Sequence, residues 1–154
     1  MRSFAPWLPT RRRDIQRCIS LLGLTENNVL YELGSGDGRV AYALAEATPA
    51  RIIGVELFPP LVWIARVRGF FRKGRRPLLL QRDIFTLDFS DATHIYLFGM
   101  PESLRGKLTE KLRKSLRPGT KIISYMYPYP DLTLITEDRG VSGKENPFFL
   151  YTLS

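Results

Sequence analysis

Short apolar runs alternate with amphipathic stretches along this chain, and the hydrophobic period switches between strand-like and helix-like as it goes. Ile15, Ile19 and Leu22 recur at helical spacing and predict a helix over 12–22. The apolar run at 28–33 predicts a buried strand, and 39–47 the helix that crosses back from it. Arg51–Glu56 reads as a second buried strand. Pro59 to Phe71 follows as a helix, its prolines tolerated in the first turn. Leu78–Asp83 and Thr93–Phe98 predict the third and fourth strands. Glu102 to Leu116 is an amphipathic helix through Leu104, Leu108 and Leu112, stopped by Pro118-Gly119. Lys121–Tyr125 is a fifth strand. Two further β segments, near Leu132–Thr136 and at Phe148–Leu153, are joined by a turn-rich link containing Gly140 and Gly143.

Strands alternating with helices and closing on a hairpin predict an α/β fold. The expected form is Rossmann-like and doubly wound: a mostly parallel seven-stranded sheet with an antiparallel C-terminal hairpin strand. A chain of 154 residues fits one domain with a real core. Residues 1–24 are expected to pack on that core as an N-terminal segment and helix.

The chemistry concentrates at the end of the first strand. Glu32-Leu33-Gly34-Ser35-Gly36-Asp37-Gly38 places glycine at every second position between a buried strand and a helix start. Such a corner holds a nucleotide in doubly wound sheets, with the helix N-terminal dipole aimed at the loop. The dinucleotide fingerprint needs a small residue where this chain has Arg39, and a phosphate-cradling P-loop needs a Gly-Lys-Ser/Thr that is absent. The form acid-x-Gly-x-Gly-x-Gly instead resembles motif I of the class I S-adenosylmethionine-dependent methyltransferases. That cofactor has no phosphate, and an acid beside its ammonium and sulfonium charges is favourable where it would repel a pyrophosphate. Glu56 and Asp83 are expected to end the second and third strands as Glu32 ends the first, and ligands of open α/β sheets bind outside these carboxyl ends. Glu56 suits the ribose hydroxyls. Asp83 suits the adenine amine, with Ile84 beside the ring. Any one such acid is also an ordinary turn former.

Tyr31 to Val40, Gly54-Val55-Glu56-Leu57, Leu97-Phe98-Gly99-Met100-Pro101, Pro118-Gly119-Thr120 and Ile123-Ser124-Tyr125 together resemble a narrower group. These are the small protein-lysine methyltransferases: archaeal broad-specificity enzymes and the mitochondrial enzymes that modify the c-ring protein of ATP synthase and the adenine nucleotide carrier. The similarity runs from about Trp7 onward, and Phe98-Gly99-Met100-Pro101 is its more specific part. It implies S-adenosylmethionine as cofactor and a protein lysine as acceptor. The implied cofactor shell is Thr10, Glu32, Gly34, Ser35, Gly36, Gly38, Glu56, Leu57, Asp83, Ile84 and Phe98. Thr10 enters because Pro9-Thr10 matches a pair whose hydroxyl reaches the cofactor carboxylate in this group; the same pair is an ordinary helix start. Glu32 stands where many relatives have aspartate, and the membrane-anchoring segment of the mitochondrial members is not seen before the glycine loop. Met100, Tyr125 and Tyr127 are substrate-pocket candidates at strand ends, equally readable as rim packing. No catalytic base is singled out. Glu102 suits the first turn of its helix better than a lysine contact.

Composition narrows the remaining choices. One cysteine and one histidine exclude an intramolecular disulfide and speak against a zinc centre, so no metal is expected. With no signal-peptide core and no long apolar run, the expected location is cytoplasmic. The net charge is +8, with Arg66, Arg68, Arg72, Lys73, Arg75 and Arg76 clustered without an acid and Arg11–Arg13 in a second run. These are solvated faces, or they attract RNA, an acidic protein or an anionic membrane surface. They do not help a cationic lysine acceptor. An RNA or small-molecule methyltransferase, and a cofactor-binding regulatory module without turnover, therefore stand as alternatives.

Overall fold

The computed structural model describes residues 10–98 and 102–153, with side chains from Arg105 onward in the second stretch. In chain order the elements are α1 (Arg12–Leu22), β1 (Val29–Leu33), α2 (Arg39–Ala47), β2 (Arg51–Glu56) and α3 (Pro59–Phe70). Then come β3 (Leu78–Gln81), β4 (His94–Phe98), α4 (Glu102–Ser115), β5 (Lys121–Tyr125), β6 (Thr133–Asp138) and β7 (Phe148–Thr152). The seven strands form one sheet in the order β3-β2-β1-β4-β5-β7-β6. The first five in that order pair in parallel, and β7 joins β5 and β6 antiparallel. The expected doubly wound architecture is the one observed.

The sheet buries both faces, which is why its central strands read as unbroken apolar runs. Leu30, Tyr96, Ile123 and Phe148 face α1 and α2, meeting Ile15, Cys18, Leu22, Val40 and Leu44. Tyr31, Leu33, Ile95, Leu97 and Ile122 face the other way, onto Leu108, Leu112 and Leu116 and onto Phe89. Chain order reverses between β1 and β4, so a crevice opens at their carboxyl ends.

Two strands differ from the expectation by two residues at one end, the other elements by at most one. β3 stops at Gln81, where its pairing partner Glu56 ends β2, so Asp83 lies two residues past the strand. β6 begins at Thr133 and is the solvent-exposed edge, with a register irregularity between Leu134 and Thr136. Leu132, expected inside it, is buried just ahead of it.

α1 is tied across the molecule. Buried Asp14 accepts a hydrogen bond from the Tyr125 hydroxyl at the end of β5, and Asn146 donates to that hydroxyl at 2.8 Å. Arg17 pairs with Asp14 at 3.1 Å, with Glu145 at 2.6 Å and with Asp138. The first helix is thereby bolted to the β6–β7 hairpin.

Candidate functional site

The carboxyl end of β1 runs straight into the glycine loop. The N–H groups of Gly34 and Ser35 both donate to Val55 O on β2, at 2.8 and 2.9 Å, which pins the loop over the sheet. Gly36 and Gly38 take φ values of 54° and 75°, a region that side chains disfavour. Gly38 is needed twice, because a Cβ there lies 3.0 Å from the Ala65 Cβ and 3.3 Å from the Tyr42 ring. Gly54 clears space from the β2 side: a Cβ there lies 3.0 Å from Ser35 Oγ.

Glu56 closes the loop from below. Its Oε2 accepts from the Gly36 N–H at 2.9 Å and its Oε1 from the Phe58 N–H at 2.8 Å. Both oxygens keep lone pairs for further donors. Leu57 follows, half-buried. The Arg82 N–H donates to Glu56 O at 3.2 Å, which holds the chain leaving β3 against this corner. Asp83 there accepts the Phe85 N–H at 2.9 Å, and Ile84 is buried behind it. The structure thus gathers Gly34, Ser35, Gly36, Gly38, Glu56 and Leu57 at one crevice and sets Asp83 and Ile84 at its β3 side.

Glu32 sits beneath the loop with 4% exposure, and its Oε2 has no hydrogen-bond partner among the described residues. Burial pushes its pKa well above the ordinary glutamate range. The Ala41 N–H opposes that shift, and the charges of Asp37 and Glu56 reinforce it. Burial thus favours the protonated carboxyl over the charged one. The folded protein keeps a proton that the unfolded chain loses near pH 4–5, so this group's contribution to stability falls as pH rises above that range. Glu32→Gln is expected to flatten that slope, melting above the unsubstituted protein at pH 8 without ligand. Denaturation scans at pH 5 and pH 8 measure it, and parallel slopes would refute the assignment.

Asp37 is a residue that motif reading passed over. It is buried; desolvation alone would raise its pKa, but hydrogen bonds from Arg39 and the charges of Arg68 and Arg39 hold it below the usual range. Arg68 reaches from α3 to Asp37 Oδ2 at 2.6 Å and to its carbonyl at 3.0 Å. An acid between two loop glycines with arginine two residues on was the available signal; the Arg68 partner had none.

The other expected residues are dispersed around the crevice. Thr10 is buried with its hydroxyl beside that of Tyr96, which pairs with Glu32 across β1 and β4. Phe98 ends β4, half-buried, with its ring 5.4 Å from that of Tyr125. Tyr125 itself is buried, and its hydroxyl is turned to Asp14 and Asn146, where burial first and then Asp14 push its pKa up to about 12. Met126, the next residue, has φ 69°. Tyr127 is half-buried, with the Arg105 guanidinium 5.4 Å from its ring centroid. Pro9, Met100, the Gly99-Met100-Pro101 segment and the Glu102 side chain lie outside the described residues. His94, the one histidine, begins β4 at the opposite end of the strand from the crevice, so no imidazole serves this site.

Residues 32–136 match the family model described as the ANTKMT methyltransferase domain. The chain is 31% identical to the ATP synthase C-subunit lysine N-methyltransferase of Rattus norvegicus, over 83% of this chain but 58% of that protein. It thus spans little more than half the length of that relative. It is 27% identical to a protein-lysine N-methyltransferase of Saccharolobus islandicus, over 91% of this chain and 82% of that one. Among solved structures, an RNA methyltransferase from Salinibacter ruber in complex with S-adenosyl-L-homocysteine superposes with a TM-score of 0.84. That protein is 31% identical, with 95% of this chain and 94% of that chain covered.

Proposed function

The chain belongs to the ANTKMT methyltransferase domain family, and from that premise we propose that it is an S-adenosylmethionine-dependent enzyme that methylates lysine side chains of proteins. The observation that carries the cofactor assignment is Glu32: a buried carboxyl, with one oxygen unpartnered among the described residues, on the strand that runs into the glycine loop. A ligand whose amino-acid end is cationic fits that position, and a phosphate does not. Glu56 is the ribose acceptor, Asp83 the partner of the adenine amine, Ile84 and Leu57 the apolar walls, and Phe98 the floor toward the acceptor side. Thr10 and Ser35 supply hydroxyls around the amino-acid end. On this reading Glu32→Gln also loses the gain in melting temperature that the cofactor gives the unsubstituted protein.

When bound, the cofactor supplies an electrophilic methyl on a sulfonium. The chain's contribution is positioning and exclusion of water. A lysine amine brought into the crevice beside that charge, and out of water, loses its proton more readily, so a dedicated base is not compulsory. The lysine acceptor rests on the names and matched lengths of the relatives. Turnover is expected to rise with pH between about 7 and 9, because an amine that ionises near 10.4 in water is shifted downward in the crevice. Mass spectrometry of lysate proteins incubated with enzyme and labelled cofactor is expected to place the added methyl groups on lysine. A flat pH profile together with methyl only on other residues would overturn the acceptor.

RNA is the second reading, favoured by the name of the Salinibacter ruber protein and by the +8 charge. It predicts label resistant to protease and lost with ribonuclease. The single cysteine, Cys18, is free and buried, which supports a reducing compartment such as the cytoplasm.

A further inference from the structure

We infer that the outer face of α3, with the basic turn that follows it, docks the protein on an anionic lipid surface. The inner face of α3 is buried through Val62, Ala65 and Gly69. A helix on the surface of a globular protein is polar on its other side. Here that side carries Trp63, Ile64 and Phe70 at 67%, 42% and 78% exposure, and Phe71 just past the helix end is 85% exposed. Leu78, at the start of β3, is also 47% exposed. Scattered exposed apolar residues are ordinary, but a contiguous face of them marks a contact surface.

The charge around this face decides what it meets. No aspartate or glutamate occurs from Leu57 to Arg82. Arg68 and Arg72 are committed to Asp37 and Glu46. Arg66, Lys73 and Arg76 are exposed, and among the described residues none of them is ion-paired. A second copy of this chain would bring two acid-free cationic rims together, and a lysine-rich protein would meet the same repulsion. RNA accepts the cations, but it binds through bases stacked on aromatics, and the exposed aliphatic Ile64 offers it no such platform. An anionic bilayer uses both parts: aromatic and aliphatic side chains enter the headgroup boundary, and arginine and lysine meet the phosphates. No helix among the described residues is long and apolar enough to cross a membrane, so the contact is peripheral.

The placement also orients the molecule. α3 begins just after Glu56, and Phe58, 42% exposed, has its N–H held by that carboxylate. A surface laid along α3 therefore touches the rim of the crevice. Docking does not depend on whether the acceptor is a lysine.

Flotation of the full chain with vesicles of phosphatidylcholine, alone or mixed with phosphatidylglycerol, tests this. Binding is expected only to the mixed vesicles and is expected to weaken as salt rises. The variant Trp63→Ser, Phe70→Ser, Phe71→Ser is expected to lower the partition coefficient by about tenfold or more at unchanged melting temperature, since interfacial binding scales with buried apolar area. Arg66→Glu, Lys73→Glu, Arg76→Glu is expected to abolish the preference for anionic lipid. Absence of flotation at low salt, or equal flotation of both variants and the parent, overturns the proposal. So does a concentration-dependent dimer, or binding of a single-stranded RNA oligomer, that the serine substitutions abolish while vesicles bind nothing.

Discussion

Gly36→Val is expected to fold and to take up no S-adenosylmethionine. Gly36 sits at φ 54°, and its N–H is spent on the Glu56 carboxylate. A β-branched residue cannot hold that angle without strain of about 1–3 kcal/mol, so the loop relaxes by rotating its N–H off Glu56. Strain of that size leaves a domain of ordinary stability folded. It distorts the loop around which the proposed cofactor site is built. Calorimetric titration with S-adenosylmethionine and S-adenosylhomocysteine reads the loss, with a melting curve as the control for folding. Normal affinity in the folded variant would make the loop a purely structural turn.

Glu56→Ala is the second large effect: a loss of about 1.5–3 kcal/mol in cofactor binding, or roughly ten- to a hundredfold, from removing charge-assisted bonds to the ribose hydroxyls. The structure adds a second contribution. Both carboxylate oxygens already hold backbone N–H groups, those of Gly36 and Phe58, so alanine also frees the loop and the start of α3. Glu56→Gln separates the two, since an amide oxygen still accepts from one N–H but lacks the charge. It is expected to fall between alanine and the parent. Unchanged affinity in both variants would remove Glu56 from the site.

The strands, their order of appearance and the glycine loop were legible because each is encoded locally: apolar runs, glycines at alternate positions, acids at strand ends. The boundary of β3 was less so. Leu78 to Asp83 reads as one run, but a parallel strand lasts only as long as its neighbour, and β2 ends at Glu56 opposite Gln81. β6 slid for a related reason, since an exposed edge strand has no buried face to set its register. What sequence reading could not reach were partnerships between distant residues. Asp37 reads as a loop acid and Arg68 as one of a basic cluster; only the fold joins them. Tyr125 reads as a rim residue, and its hydroxyl is instead satisfied by Asp14 and Asn146, residues from opposite halves of the chain. Glu32 reads from the sequence as an acid beside the cofactor's positive charges. The upward shift of its pKa follows first from burial depth, which spacing does not report.

The bolt between α1 and the hairpin fixes a sequence of events during synthesis. Asp14 and Arg17 leave the ribosome more than a hundred residues ahead of Asp138, Glu145 and Asn146. At about 5–20 residues per second, α1 waits for several seconds or more with Asp14 lacking the Tyr125 hydroxyl and its apolar side uncovered by β5 and β7. Contacts of such long sequence separation also form late in folding, because their loop entropy must be overcome first. The glycine loop and β2 are synthesised long before that. The glycine loop is therefore made well before the β6–β7 link that ties α1 down.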